Sequence, residues 1–173
     1  MGILIKTIAM NTKTDFQIDH DNLRIIVERN YPAPLTKVWE AWTKPEYLDQ
    51  WWGPQPWRAE TILMNFKEGG KWFYAMVGPE GEREYCAAEF NNIQLHKFIE
   101  INEYFADENG DRRLDAPGAY WTEEFVEEGN STKVKITIRF QTEEDMKWYI
   151  QSGFEQGFSI GLQNLSEVLQ SEI

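Results

Sequence analysis

Apolar positions along this chain alternate with polar ones for most of its length and switch to a helical spacing near each end of that run. Leu23 to Tyr31 is β-branched and reads as a strand, closed by Pro32 and Pro34. Before it, Phe16 and Ile18 alternate with polar residues, and His20-Asp21-Asn22 supplies turn chemistry, so a first hairpin is expected. Leu35, Val38, Trp39 and Trp42 then fall at i, i+3, i+4 and i+7, one face of a helix. Pro45 suits the first turn of a second short helix, because its missing N–H would have no partner there, and Tyr47, Leu48, Trp51 and Trp52 form that helix's apolar face. The chain breaks at Gly53-Pro54 and Pro56.

A long antiparallel meander is predicted next, with strands over Trp57–Phe66, Lys71–Val77, Arg83–Phe90, Phe98–Ala106, Ala119–Glu127 and Thr132–Gln141. Turn formers separate them: Gly69-Gly70, the Gly78 to Gly81 run, Asn91-Asn92, the polar loop Asp107 to Gly118, and Gly129-Asn130. The last strand alternates most cleanly. Val134, Ile136, Ile138 and Phe140 share one face; Lys133, Lys135, Thr137 and Arg139 share the other. One face is buried and one is wet, as in an antiparallel sheet covered by a helix. The cover follows at once. Thr142 with Glu143, Glu144 and Asp145 is a capping hydroxyl followed by acids that suit the helix dipole. A short helix to Ser152, Gly153, and a longer helix from Phe154 to Gln170 complete the chain. Phe154, Phe158, Gly161, Leu165 and Val168 or Leu169 form the longer helix's inward stripe. Gly157 and Gly161 each cost it about 0.8–1 kcal/mol relative to alanine, so close packing or a cavity is expected against them. The element order gives an α+β fold in which the sheet curls around the C-terminal helix. Residues 1–14 show no periodicity and read as a flexible arm, with a single domain over 15–173.

Composition narrows the function. The 173 residues hold 29 acids against 17 bases, for a net charge of −12, so phosphate backbones and anionic membranes would be repelled. A lone Cys86 and two separated histidines, His20 and His96, exclude a disulfide and give too few ligands for zinc or a facial-triad iron; no cofactor is expected. The N-terminus lacks the features of a signal peptide, Lys6 breaks a myristoylation pattern, and no apolar run reaches transmembrane length; a cytoplasmic protein is expected. No nucleophile–base pair, phosphate loop or nucleophile elbow is readable.

The aromatic surplus is the main chemical signal, at 14% of residues with eight tryptophans. Trp51, Trp52 and Trp57 cluster at a helix–loop–strand junction. Trp72, Tyr74 and Met76 share one strand face, and Trp121 and Phe125 share another. Such a set either fills a solid core or lines a site for a planar or lipid-like ligand. Period-two geometry sends Glu123 inward between Trp121 and Phe125, where a carboxyl must be paired, hydrated or protonated. Glu103, between Ile101 and Phe105, poses the same question. The expected ligand-binding set is Trp51, Trp57, Trp72, Tyr74, Met76, Trp121, Glu123, Phe125, Phe154 and Phe158.

Three segments carry a resemblance: NYPAPLTKVWEAWTKPEYLDQWWGP (Asn30 to Pro54), FKEGGKWFYAM (Phe66 to Met76) and FEQGFSIGLQNLSEVL (Phe154 to Leu169). Together they resemble the family named after the activator of heat-shock protein 90 ATPase, within the START-like, Bet v-like helix-grip superfamily (SRPBCC). The likeness spans about Leu23 to Leu169 and is specific for fold rather than activity. Where relatives often carry an Asp-x-Arg-Pro-Gly-Gly turn, this chain has Asn65, Lys67 and Glu68, so that turn's charge pairing is not implied. The resemblance implies a helix-grip fold with an apolar cavity between sheet and C-terminal helix. The main expectation is therefore a monomeric or dimeric binding protein for a small hydrophobic or aromatic ligand. The alternatives are a co-chaperone-like interaction module of a stress response, or a cyclase or hydrolase acting on an aromatic substrate in the same cavity. The family's eukaryotic co-chaperones pair this domain with a separate chaperone-binding domain, which this chain is not expected to contain.

Overall fold

A computed structural model describes residues 13–171. Most of the segment expected to be an arm therefore lies outside the described residues; Thr14 already begins a strand. The strands are β1 (Thr14–Asp19), β2 (Arg24–Tyr31), β3 (Arg58–Met64), β4 (Lys71–Val77), β5 (Arg83–Gln94), β6 (Phe98–Ala106), β7 (Ala119–Glu128) and β8 (Ser131–Arg139). The helices are α1 (Leu35–Thr43), α2 (Pro45–Trp51), α3 (Glu143–Gln151) and α4 (Phe154–Ser171). The strands form one antiparallel sheet in the order β1-β2-β8-β7-β6-β5-β4-β3. This is the predicted α+β helix-grip architecture: α1 and α2 carry the chain from β2 to the far edge strand, and α4 lies in the concave face.

Local chemistry sets the breaks. Lys44 must stay extended because it precedes Pro45, and at φ −97°, ψ 129° it ends α1 and opens α2. Thr142 Oγ1 accepts the Asp145 backbone N–H at 3.1 Å, the cap expected for α3. Gly153, at φ +85°, takes the left-handed conformation that separates α3 from α4.

One predicted turn lies elsewhere. Asn91-Asn92 is not a turn, and β5 runs on to Gln94. The pairing with β6 slips between Phe90 and Asn92, so Asn91 is the extra residue of a β-bulge, a position open to the same residue types as a turn. The real reversal uses His96 at φ +61°. Thr137, expected on the wet face, is 4% exposed, whereas Lys133 pairs with Glu28 at 3.3 Å as a solvated-face residue should.

The core on the concave face holds Val27, Val134, Ile136 and Ile138 of the sheet against Leu162, Leu165 and Leu169 of α4. Arg29 fastens three elements together. It is 4% exposed, and its guanidinium donates to Thr14 Oγ1 (2.6 Å), Gln163 Oε1 (2.7 Å) and Ser166 Oγ (2.9 Å). The glycines of α4 have separate reasons. A Cβ on Gly161 would sit 3.2 Å from the backbone oxygens of Trp51 and Trp52, so this glycine lets α4 pass close over the end of α2. Gly157 meets only Pro54 at 3.7 Å and borders open space.

Candidate functional site

That open space is a cavity of about 220 Å³ between the sheet and the α3–α4 corner. Its sheet wall carries one small side chain on β5, Cys86. Along one inward row Tyr74 of β4 faces Cys86 of β5, which faces Phe105 of β6. Along the next, Trp72 faces Ala88, Ala88 faces Glu103, and Glu103 faces Ala119 of β7. Of the small residues in these rows, Cys86 lines the cavity, and Ala88 borders a smaller, separate void.

Tyr74 reaches across β5. Its hydroxyl donates to Glu103 Oε1 at 2.7 Å and accepts the Trp52 indole N–H at 3.0 Å. Its ring stacks on Trp72 at 3.9 Å between centroids, and Trp72 in turn donates to Thr61 Oγ1 at 2.9 Å. The relay fixes polarity: with Oε1 accepting, any proton on Glu103 belongs on Oε2. That oxygen is buried and has no partner among the described residues. Burial pushes the Glu103 carboxyl up to about 8, with the Tyr74 hydrogen bond only partly opposing it. Tyr74 itself is pushed well above the usual phenol range by burial and by the neighbouring carboxyl. The Cys86 thiol is also raised, by burial first and Glu103 second, which leaves it a poor nucleophile.

Trp121, Phe154 and Phe158 close the opposite wall. Phe154 and Phe158 stack at 5.1 Å, and Trp121 meets Phe158 edge-on at 5.6 Å. The Trp121 indole N–H is a second buried polar group without a partner among the described residues. Trp148, 41% exposed, stands at the rim beside Phe105.

Of the expected ligand-binding set, Tyr74, Met76, Trp121, Phe154 and Phe158 come together around this cavity. The others do not. Trp51 is fully buried beneath it, its N–H donated to Ala41 O at 2.8 Å. Phe125 packs edge-on against Trp39 and Trp42 in the core, and Trp57 is half-buried away from the cavity. Trp72 and Glu123 border a separate void of about 20 Å³, room for a water molecule, which Trp42 also lines. Glu123 is 5% exposed, as its alternation predicted, and burial followed by the charge of Glu103 raises its pKa to about 8. Trp52, Glu103 and Tyr149 were not in the expected set. Tyr149 was legible as the i+3 partner of Met146 on α3, and Glu103 by the alternation that placed Glu123.

The polar loop before β7 contributes no residue to the cavity wall. Its Arg113 is instead held by Asp115 at 2.7 Å and Glu84 at 2.9 Å. At the divergent turn, Glu68 Oε1 accepts the Ile93 backbone N–H at 3.1 Å beside the bulge, and no ion pair involves Lys67 or Glu68 among the described residues. No cluster of metal-ligating side chains occurs among the described residues, and no helix among them is long and apolar enough to cross a membrane.

A curved antiparallel sheet gripping a long C-terminal helix, with space left between them, defines the START-like, Bet v-like class (SRPBCC). Within that class the chain belongs to the family described as Activator of Hsp90 ATPase homolog 1-like protein, whose family model matches residues 32–170. Solved structures agree. A protein from Staphylococcus epidermidis is 32% identical, with a TM-score of 0.79, covering 91% of this chain and 95% of that one. A protein from Arthrobacter aurescens is 28% identical, with a TM-score of 0.86 and 91% of each chain covered. Ms6760 from Mycobacterium smegmatis, at 24% identity, shares the fold with a TM-score of 0.83 over 90% of this chain and 95% of that one. No curated protein matches the chain.

Proposed function

We propose that this protein binds a small, largely apolar ligand in the cavity between β4–β7 and the α3–α4 corner. The observation that carries this reading is the cavity itself. Space of about 220 Å³ stays open with Phe154, Phe158 and Trp148 among the aromatic rings that wall it. A solid core would pack such rings to crystal-like density. Small residues at Cys86 and Gly157 support the reading, since each withholds volume on a wall that borders the space. The neutral dye prodan, titrated while tryptophan emission is followed, should bind saturably with micromolar or weaker affinity. Gly157→Leu, which pushes a side chain into the opening, should weaken binding about tenfold or more. Absence of saturable binding to the unmodified protein contradicts the proposal.

A second reading, contact with an Hsp90-type chaperone, is favoured by the family match. The two readings diverge in an ATPase assay with a cognate chaperone. Several-fold stimulation at stoichiometric protein, unchanged in Gly157→Leu, would favour the interaction module.

A further inference from the structure

The polar chemistry of the cavity is one-sided. Among the described residues, the charged ones that line it are both acids, Glu84 and Glu103, and no lysine or arginine does. Glu84 is already held by Arg113 at 2.9 Å. Glu103 is 8% exposed, and among the described residues its one side-chain hydrogen bond, from Tyr74, leaves Oε2 without a partner. Around it nine of the seventeen lining residues are aromatic, so ring faces are the commonest surface a ligand meets. A carboxylate among aromatic faces is the environment that stabilises an organic ammonium, through an ion pair on one side and cation–π contacts on the others. The net charge of −12 favours the approach of cations over anions. Resting on the ligand-cavity reading above, we propose that the cavity selects apolar molecules carrying one basic amine, with the ammonium seated on Glu103 Oε2.

The titratable groups that feel the charge of Glu103 are Tyr74 on β4, Cys86 on β5, Tyr104 on β6, Glu123 on β7 and Tyr149 on α3, while Glu84, paired with Arg113, lines the same cavity. Tyr74, Cys86 and Tyr149 are all raised by burial and stay neutral near pH 7, and Glu123 is raised to about 8. None supplies a competing cation. With Glu103 raised to about 8, the empty site at pH 7 holds a neutral carboxyl. The ligand arrives as an ammonium, the Oε2 proton leaves to solvent, and the ion pair forms; charge and protons balance with one proton released per ligand. Affinity should therefore rise with pH up to about 8, where the carboxyl is ionised in advance.

Calorimetric titration of 2-phenylethylamine against its neutral counterpart 2-phenylethanol tests this. At pH 7, in buffers of different ionisation enthalpy, the amine should bind about tenfold or more tightly than the alcohol and release close to one proton. Its affinity should rise about tenfold or more between pH 6 and pH 8, while that of the alcohol stays flat. Glu103→Gln, checked for folding by its melting transition, should erase the difference between the two ligands. If the alcohol binds as well as the amine, or the amine releases no proton, the amine site is wrong and the cavity reading stands. If neither binds saturably, both fall.

Discussion

Replacing Glu123 by glutamine tests the account of buried carboxyls quantitatively. The ordinary carboxyl titrates near 4.5, and inside the fold Glu123 is raised to about 8. A raised pKa means that the folded protein holds a proton the unfolded chain has lost. Stability from this group is therefore complete below pH 4.5 and declines as the pH climbs to 8, by about 1.4 kcal/mol per pH unit. At pH 7 the accumulated loss is about 3 kcal/mol. Glutamine keeps the shape and has nothing to protonate, so it escapes that loss. It also brings amide hydrogens into a void of about 20 Å³, where leaving them unpaired costs about 1–3 kcal/mol at every pH. Glu123→Gln should thus range from neutral to stabilising by about 2 kcal/mol at pH 7 and be destabilising by about 1–3 kcal/mol at pH 4.5, and the change of about 3 kcal/mol between the two conditions does not depend on the amide cost. Urea unfolding at several pH values measures it. Glu103 keeps its own slope in the variant, so pH dependence is reduced rather than abolished. A stability difference that is constant across pH would refute the reasoning, because it would mean that Glu123 is ionised in the folded protein.

Other substitutions probe separate joints. Gly161→Ala gains about 1 kcal/mol of helix propensity but drives a Cβ to 3.2 Å from two backbone oxygens, so thermal melts should show a net loss of about 1–2 kcal/mol. Gly157→Ala meets only Pro54 at 3.7 Å and should instead stabilise by about 0.5–1 kcal/mol. Tyr74→Phe removes the hydroxyl between Trp52 and Glu103 and should cost about 2–3 kcal/mol. It should also move the Glu103 carboxyl above its present value of about 8, as followed by carboxyl carbon NMR, because the lost hydrogen bond was lowering it. Thr142→Ala should cost about 1 kcal/mol through the cap on α3, read by chemical denaturation.

Most of the element boundaries were legible because local chemistry sets them. Pro45 forces Lys44 extended, Thr142 caps α3, and alternation alone placed Glu123 between Trp121 and Phe125. The exceptions come from signals with two readings. Asn91-Asn92 suits a turn and a bulge equally well, and the true turn at His96 has no glycine to mark it. The cavity was harder to read because it depends on cross-strand register. Nothing local says that Tyr74 lies opposite Cys86 and reaches on to Glu103, since those contacts join strands by pairings set elsewhere in the sheet. Helix phase separates the two tryptophans. Trp51 and Trp52 are adjacent in sequence but point about 100° apart at the end of α2, so one is sealed in the core while the other forms cavity wall.

The most direct test of the central claim is a proton–nitrogen NMR titration of the protein with 2-phenylethanol. Saturable shifts should concentrate on the backbone amides of Glu103, Trp121, Phe154 and Gly157 and on the indole N–H signals of Trp52 and Trp121, with the Trp57 indole unmoved. Shifts that do not saturate, or that gather at Trp57 and the β1 edge instead, would contradict a ligand cavity between the sheet and the C-terminal helices.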